Sequence, residues 1–366
     1  MNYYKNYFKN KTVLITGHTG FKGSWLTSIM LFMEARVVGV SIDCLKNSHF
    51  NLNNLSKKII DKRVDIRDFK KLQKVVYKYK PDFIFHLAAQ SLVIKSYKDP
   101  ITTWSTNVLG TLNLLETLKK YKKKCIAIII TSDKCYLNFD QKKNYKETDT
   151  LGGHDPYSAS KASAELLCFS EINSFFKKNK KIKIATARAG NVIGGGDWSK
   201  NRIIPDYIAA LINKKKLYLR NPIATRPWQH VLEPLFGYIK LAIFLKKNIN
   251  LHGESFNFGP SKFNNKKVID VIKVMNRNLF NVNFHINKNN KIKEATLLQL
   301  DCRKAQKIIH WLPKLNFEET IKFTSDWYSN YIFKKKIITF DQIKKYLGHL
   351  NILVLIIPIF LLLYEF

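Results

Sequence analysis

Tyr157 and Lys161 stand four residues apart in DPYSASKASAE, at the start of a helical pattern, so both project from one face. A phenol with a pKa of about 10 is a poor base near neutrality. An ammonium about 4 Å away, at an effective dielectric near 20, contributes roughly 4 kcal/mol, or about three pKa units. Such a pair could exchange a proton with a substrate hydroxyl. Read alone, the same spacing also describes an ordinary surface pair on an amphipathic helix. Upstream, TSDK (Thr131 to Lys134) closes an apolar run and adds a hydroxyl, a carboxylate and an amine.

A second cluster lies near the N-terminus. TVLIT (Thr12 to Thr16) reads as a buried strand that runs into GHTGFKG, with Gly17, Gly20 and Gly23, and an apolar helix SWLTSIMLFM follows. Strand, glycine turn and helix start form a phosphate site: the turn needs residues without Cβ, and the helix N-terminus presents N–H groups to an anion. The spacing is GxxGxxG rather than GxGxxG, and a tight structural turn would look the same. Asp43 ends the second strand, a little over 20 residues on, where a carboxylate accepts from an adenosine ribose and disfavours a 2′-phosphate. That points to NAD. Asp65, in VDIRD, reads either as a partner of the adenine amino group or as a helix N-cap.

These groups need a frame to hold them. RVVGVSI (Arg36 to Ile42), DFIFHLAA (Asp82 to Ala89), CIAIIITS (Cys125 to Ser132) and IKIATARA (Ile182 to Ala189) are apolar on both faces, as strands covered by helices must be. Helical spacing fills Asp68 to Lys80, Thr102 to Tyr121 and Tyr157 to Lys178. The pattern predicts an α/β fold, a doubly wound parallel sheet of the Rossmann type, over residues 1–193, with return strands near 228–260. A smaller mixed α/β substrate-binding lobe is expected over 194–346. GGGDWSKNRIIPD opens that lobe, VIDVIKVMNRN and AQKIIHWL supply helices, and FNFGP a short strand and turn.

Composition limits the rest. A chain of 366 residues with 46% hydrophobic and 13% aromatic content can bury a large core. Its net charge of +35 comes from 62 Lys and Arg against 27 Asp and Glu. The lysines are spread along the chain with abundant Ile and Asn, which reads as codon bias rather than a basic face, so no nucleic-acid partner is expected. Five scattered cysteines without CxxC spacing predict neither a disulfide framework nor a metal site and fit a reducing cytoplasm. Residues 347–366 form an apolar tail in which Ile352 to Leu363 is broken by Pro358, short of the roughly 20 residues of a span. It reads as a buried element, a weak membrane anchor behind Lys344 and Lys345, or an appended segment.

GHTGFKG, HLAAQSLV, NVLGT, TSDKCY, DPYSASK and ARAGNVIGGGDW together resemble the extended short-chain dehydrogenases/reductases, the NAD-dependent epimerase/dehydratase family. TSDKCY, GNVIGGGDW and RPWQHVLEP resemble the CDP-glucose 4,6-dehydratases within it, over about Val13 to Tyr346. The resemblance implies a lyase that holds NAD, oxidises the sugar at C4, eliminates water across C5 and C6, and returns the hydride to C6. Tyr157 would take the C4 hydroxyl proton with Ser132 on the same oxygen, and Lys161 would lower the phenol pKa and hold the nicotinamide ribose. Asp133 would protonate the departing C6 hydroxyl, which requires burial to raise its pKa. Lys134 stands where dTDP-glucose relatives carry Glu, and would handle the C5 proton as a depressed base or by stabilising the enolate; a salt bridge to Asp133 is the bland alternative.

The same resemblance takes Thr19, Phe21, Ile66, Leu87, Ala88 and Ala89 to the cofactor, and Gln90, Asn191, Arg202 and Arg226 to the substrate, the two arginines clamping its diphosphate. Trp198 and Trp228 read as base-flanking or as core, and Arg188 as a loop anchor. A nucleotide-sugar substrate and a homodimer are expected. Two alternatives stand: another extended family member, such as a dTDP-glucose or GDP-mannose dehydratase, an epimerase or a reductase, and a non-catalytic NAD-binding scaffold.

Overall fold

Alternation of side chains along each strand explains how the chain builds two cores on one sheet. Along β1 (Thr12–Thr16), Val13 and Ile15 enter one cluster while Leu14 enters the other. Along β5 (Cys125–Ile130), Ile126, Ile128 and Ile130 take the first side and Ala127 and Ile129 the second. A computed structural model describes residues 2–138, 143–261, 264–286 and 298–348. The apolar tail therefore lies outside the described residues, apart from its first two positions.

The strands in chain order are β1, β2 (Arg36–Ser41), β3 (Ile60–Arg63), β4 (Phe83–His86), β5, β6 (Asn144–Tyr145), β7 (Ile182–Ala189), β8 (Leu217–Leu219), β9 (Thr225–Pro227), β10 (Ser255–Phe258), β11 (Asn265–Lys267), β12 (Phe284–Ile286) and β13 (Gln299–Leu300). Seven of them form one parallel sheet, in the order β10-β7-β5-β4-β1-β2-β3. The remaining six pair two by two: β9 with β11, β8 with β12, and β6 with β13. The order reverses about β1 and β4, and the glycine turn and the loop after β5 both leave the carboxyl ends of the strands, where sheets of this kind open a crevice at the switch point. The chain returns to the sheet after residue 194: helix Leu232–Lys247 packs on β5 and β7, and β10 pairs with β7.

Local chemistry sets the ends of the elements. The helix after β3 is Phe69–Tyr79, with Leu72, Val75 and Val76 buried; Asp68 caps it by accepting from Lys71 N, and Lys80 closes it at φ 47°. Asp65 is therefore not a helix cap. The expected single helix over 102–121 is Pro100–Trp104, a π-turn over Ser105–Leu109 and Gly110–Lys119. The lobe after β7 is tied down by Glu233, whose carboxylate accepts from Lys314 N (2.9 Å), Leu315 N (2.7 Å) and the Tyr346 hydroxyl (2.8 Å). Among the described residues no helix is long and apolar enough to cross a membrane.

Candidate active site

Beyond β5 the backbone enters a short 3-10 turn, Asp133–Cys135, capped by Ser132. The Ser132 hydroxyl accepts from Lys134 N at 3.2 Å and donates to Asp133 Oδ1 at 2.9 Å. Facing it is the helix Pro156–Glu171, which starts where it does because Asp155 caps it and Pro156 stands in its first turn. Asp155 accepts from Ser158 N at 3.0 Å and from the Ser158 hydroxyl at 2.6 Å. That start buries Tyr157 and Lys161 beside the 3-10 turn, with Ser132 among the groups that act on the phenol. Ser132, Asp133, Tyr157 and Lys161 are each less than a tenth exposed, at 7%, 7%, 8% and 6%. Lys134 is half-buried at the rim.

Water exclusion sets the charges. Burial raises the Asp133 carboxyl, against the pull of Lys134, the Ser132 hydroxyl and Lys22. That is the direction a general acid needs. Burial also pushes the Tyr157 phenol up to about 12, opposed by Ser132 and, less, by Arg202. The expected acidification by Lys161 is absent from this structure. The Lys161 ammonium sits 3.4 Å from the Ile130 carbonyl, with its own pKa lowered to about 8 by burial.

Beneath them lies an ionic network. Arg188 Nη2 meets Glu165 Oε2 at 2.9 Å, and Nη1 donates to the Tyr136 hydroxyl (2.8 Å) and the Glu147 carbonyl (3.0 Å). Arg188 is thus an anchor, and breaking such a buried pair from one side costs about 3–5 kcal/mol. Asn107, in the π-turn, accepts from Gln90 N (2.8 Å) and donates to Gln90 O (3.1 Å) and to Ser160 on the helix of Tyr157 (2.8 Å). Sequence reasoning missed it, although NVLGT carries it.

The glycine turn is built from backbone. Gly17 has φ 72°, and a Cβ there would lie 2.8 Å from Ala88 N; one on Gly23 would lie 2.1 Å from the Gly17 carbonyl. Gly20 differs. It is exposed, and a Cβ on it would meet only the Gly17 carbonyl, at 3.3 Å, so the helix start at Phe21 lies open to an anion. These residues fit a dinucleotide pyrophosphate.

Around the turn, Thr19 donates to the Asp43 carbonyl at 2.6 Å and shares a hydrogen bond with Ser41, leaving Asp43 exposed just past β2. Leu87, Ala88 and Ala89 follow β4, with Ala88 N donating to Thr16 at 3.1 Å. Asp65, expected at the adenine, is instead bound to Arg67, with contacts of 2.6–3.1 Å. The Ile66 side chain is buried against Gly110.

The substrate residues divide. Gln90 turns its amide inward: Oε1 accepts from Leu92 N at 2.8 Å, and Nε2 donates to Leu92 O and Thr103, each at 3.0 Å. It shapes the loop after β4 rather than reaching out. Asn191 is exposed after β7. Arg202 pairs with Asp197 at 3.0 Å while its charge reaches Tyr157 and Lys22. Arg226, on β9, donates to its neighbour Thr225's carbonyl at 3.0 Å. Trp228 is buried and donates to Lys266 O, and Trp198 packs on Tyr328 and Tyr331, so both serve as core. Lys22 belongs to the site and was overlooked, because its place inside GFKG reads as a spacer between glycines. Among the described residues no group of three or more His, Cys, Asp or Glu could hold a metal.

The profile of the GDP-mannose 4,6 dehydratase family matches residues 14–324, most of the chain. The chain belongs to this family of extended short-chain dehydrogenases/reductases. Within the family's reach, it is 42% identical over 334 residues to CDP-glucose 4,6-dehydratase of Salmonella typhimurium, covering 90% of this chain and 93% of that protein. Two solved structures share the fold. An epimerase of Methanothermobacter thermautotrophicus superposes with TM-score 0.78 at 24% identity, over 94% of this chain and 97% of the other. A dTDP-glucose 4,6-dehydratase of Bacillus anthracis, in complex with NAD, gives 0.72 at 22%, over 88% and 97%.

Proposed function

We propose that the chain is an NAD-dependent CDP-glucose 4,6-dehydratase yielding CDP-4-keto-6-deoxyglucose and water. The observation that carries the reading is Asp133, a buried carboxyl held towards its neutral form, hydrogen-bonded to Ser132 and on the same 3-10 turn that faces the helix of Tyr157. An epimerase or reductase that only moves a hydride at C4 has no need of a second acid there. The 42% relative supports CDP-glucose as the substrate.

NAD would be held by Gly17, Gly20 and Gly23 at its pyrophosphate and by Asp43 at its adenosine ribose, and when bound would supply a hydride acceptor for C4 and a hydride donor for C6. Tyr157 takes the C4 hydroxyl proton, with Ser132 hydrogen-bonding the same C4 oxygen. For the phenol to ionise, the Lys161 ammonium would leave the Ile130 carbonyl for the phenol, and it would also hold the nicotinamide ribose. The new ketone acidifies C5, whose proton passes either to Lys134 as the neutral amine or to solvent while the Lys134 ammonium stabilises the enolate, and Asp133 gives its proton to the C6 oxygen, which leaves as water. Arg202 and Arg226 grip the diphosphate, and Asn191 lies beside it.

The NAD-binding unit comprises residues 1–193 and the returning 228–260, and the rest of 194–346 forms the substrate lobe. The protein works in the cytoplasm as a homodimer. Ile101, Trp104, Leu109, Leu166 and Phe169 are exposed on neighbouring helical segments that pack together, an apolar face a second copy would cover. Light scattering giving the mass of one chain would remove the dimer. The function itself is tested by incubating purified protein with CDP-glucose, dTDP-glucose, UDP-glucose and GDP-mannose and following the absorbance of the keto sugar in base. CDP-glucose is the expected substrate; turnover of dTDP-glucose alone would refute it.

A further inference from the structure

Leu14 of β1 and Ile84 of β4 share a buried cluster with Leu114, Leu115 and Leu118 of helix Gly110–Lys119. Two residues further along each strand the same face turns polar, with Thr16 and His86 in register where the strand order reverses. Both are buried, as are Thr111, Asn107 and Ser160. Such groups persist in an apolar layer only if each finds a partner. Each does. Ala88 N donates to Thr16 Oγ1 at 3.1 Å, Thr16 Oγ1 lies 2.8 Å from His86 Nδ1, and His86 Nε2 lies 3.1 Å from Thr111 Oγ1. The Thr111 hydroxyl donates to Asn107 O (2.7 Å), the Asn107 amide to Ser160 (2.8 Å), and the Ser160 hydroxyl to Tyr157 O (2.7 Å).

These contacts fix where the protons are. A carbonyl cannot donate, so the Thr111 proton is committed to Asn107 O, and the hydrogen between His86 and Thr111 must come from Nε2. The ring is therefore the Nε2–H tautomer. Its Nδ1 is left to accept the Thr16 hydroxyl. Protons on both nitrogens would leave that hydroxyl buried without an acceptor, and burial itself lowers the ring to about 3. Every hydrogen bond then points one way, from the loop after β4 to the backbone of Tyr157.

The two ends of the chain are the two halves of the site. Thr16 immediately precedes Gly17, which packs so closely on the loop after β4 that a Cβ would lie 2.8 Å from Ala88 N. Ser160 shares the helix Pro156–Glu171 with Tyr157 and Lys161. We propose that His86 is a positioning residue with two separable links: Nδ1 holds the glycine turn in place for the dinucleotide, and Nε2–H sets the helix of Tyr157 against that turn. Buried between Thr16 and Thr111, the ring acts through them. The effect on turnover rests on the dehydratase reading above. An inactive parent enzyme would sink that reading, whereas unaffected variants of an active parent sink only this one.

The tautomer is read on the parent protein, from the nitrogen chemical shifts of the His86 ring, and so needs no variant to fold. Nε2–H with a bare Nδ1 is expected near neutral pH; Nδ1–H or a doubly protonated ring would overturn the proposal. Two variants then separate the links. In H86N the amide oxygen can replace Nδ1, but the shorter side chain leaves Thr111 without its donor. In H86Q the amide nitrogen can replace Nε2, and Thr16 loses its acceptor. H86N should bind NAD as tightly as the parent by calorimetry, with an unchanged KM for CDP-glucose, while kcat falls about tenfold. H86Q should bind NAD about tenfold more weakly yet regain most of kcat at saturating NAD. T111V should match H86N, and the double variant H86N/T111V should be no slower than either, as one shared link requires. A parental kcat in H86N, the same loss of NAD affinity and kcat in H86N and H86Q, or additive losses in the double variant would each overturn the proposal.

Discussion

The two chemical regions of the crevice, the glycine turn after β1 and the acid corner after β5, are made of different materials. The turn is backbone: Gly17 N donates to Val40 O at 2.7 Å, Gly20 N to Gly17 O at 3.0 Å, and Ser24 N to Gly20 O at 2.8 Å. It works because certain positions lack a Cβ. The corner has ordinary backbone, with Ser132 extended at φ −156° and ψ 157°, and its properties come from side chains deprived of water. A site of the first kind is encoded residue by residue. One of the second kind is a property of the whole fold, because desolvation depends on everything packed around it.

Breaking the backbone side should have the largest effect. Gly23→Ala places a methyl carbon where the Gly17 carbonyl now stands 2.1 Å away, so the turn must move. The purified variant should carry no NAD and show no turnover, by absorbance and by the keto-sugar assay; a variant that retains NAD and rate would show the turn to be more plastic than its geometry allows. Breaking the side-chain side should leave the cofactor in place. Tyr157→Phe should retain NAD and the parental melting temperature to within a few degrees while kcat falls by about 10²–10⁴. Loss of NAD in that variant would erase the distinction between the two regions.

The difference in material also decides what could be read in advance. β1, β7 and helix Val268–Asn278 have the bounds that their sequence patterns predict, because each is a buried run or amphipathic stretch closed by turn residues. β3 was not foreseen: IDKR is a half-exposed polar edge strand with no apolar signature. The candidate residues were legible from YxxxK and TSDK, but their charge states were not. Spacing suggested an acidified Tyr157, whereas burial raises it and Lys161 faces the Ile130 carbonyl. Lys22 was hidden for the same reason, since nothing in GFKG shows that burial lowers its ammonium. Gln90 stands in a recognisable motif, yet its amide is consumed by Leu92 and Thr103.

A buried carboxylate outside both regions sharpens the comparison, with the smallest effect. Glu233 is pushed up to about 7 by burial, against the N–H groups of Leu315 and Lys314 and the Tyr346 hydroxyl. Its folded pKa lies above the ordinary value, so its contribution to stability is present at low pH and is lost as pH rises through about 7. Parent protein should lose about 3 kcal/mol relative to Glu233→Gln between pH 4.5 and 8, read by urea unfolding, with turnover unchanged. Parallel pH profiles for the two proteins would show that Glu233 is already ionised in the fold.

The central claim is that one hydride leaves C4 and returns to C6 of the same sugar while the corner of Ser132, Asp133, Lys134 and Tyr157 moves the protons. CDP-glucose deuterated at C4, given to purified protein without added dinucleotide, tests it most directly. The account predicts product carrying that deuterium at C6, with turnover exceeding the amount of protein. Deuterium that stays at C4, or that appears only in dinucleotide released to solution, would contradict it.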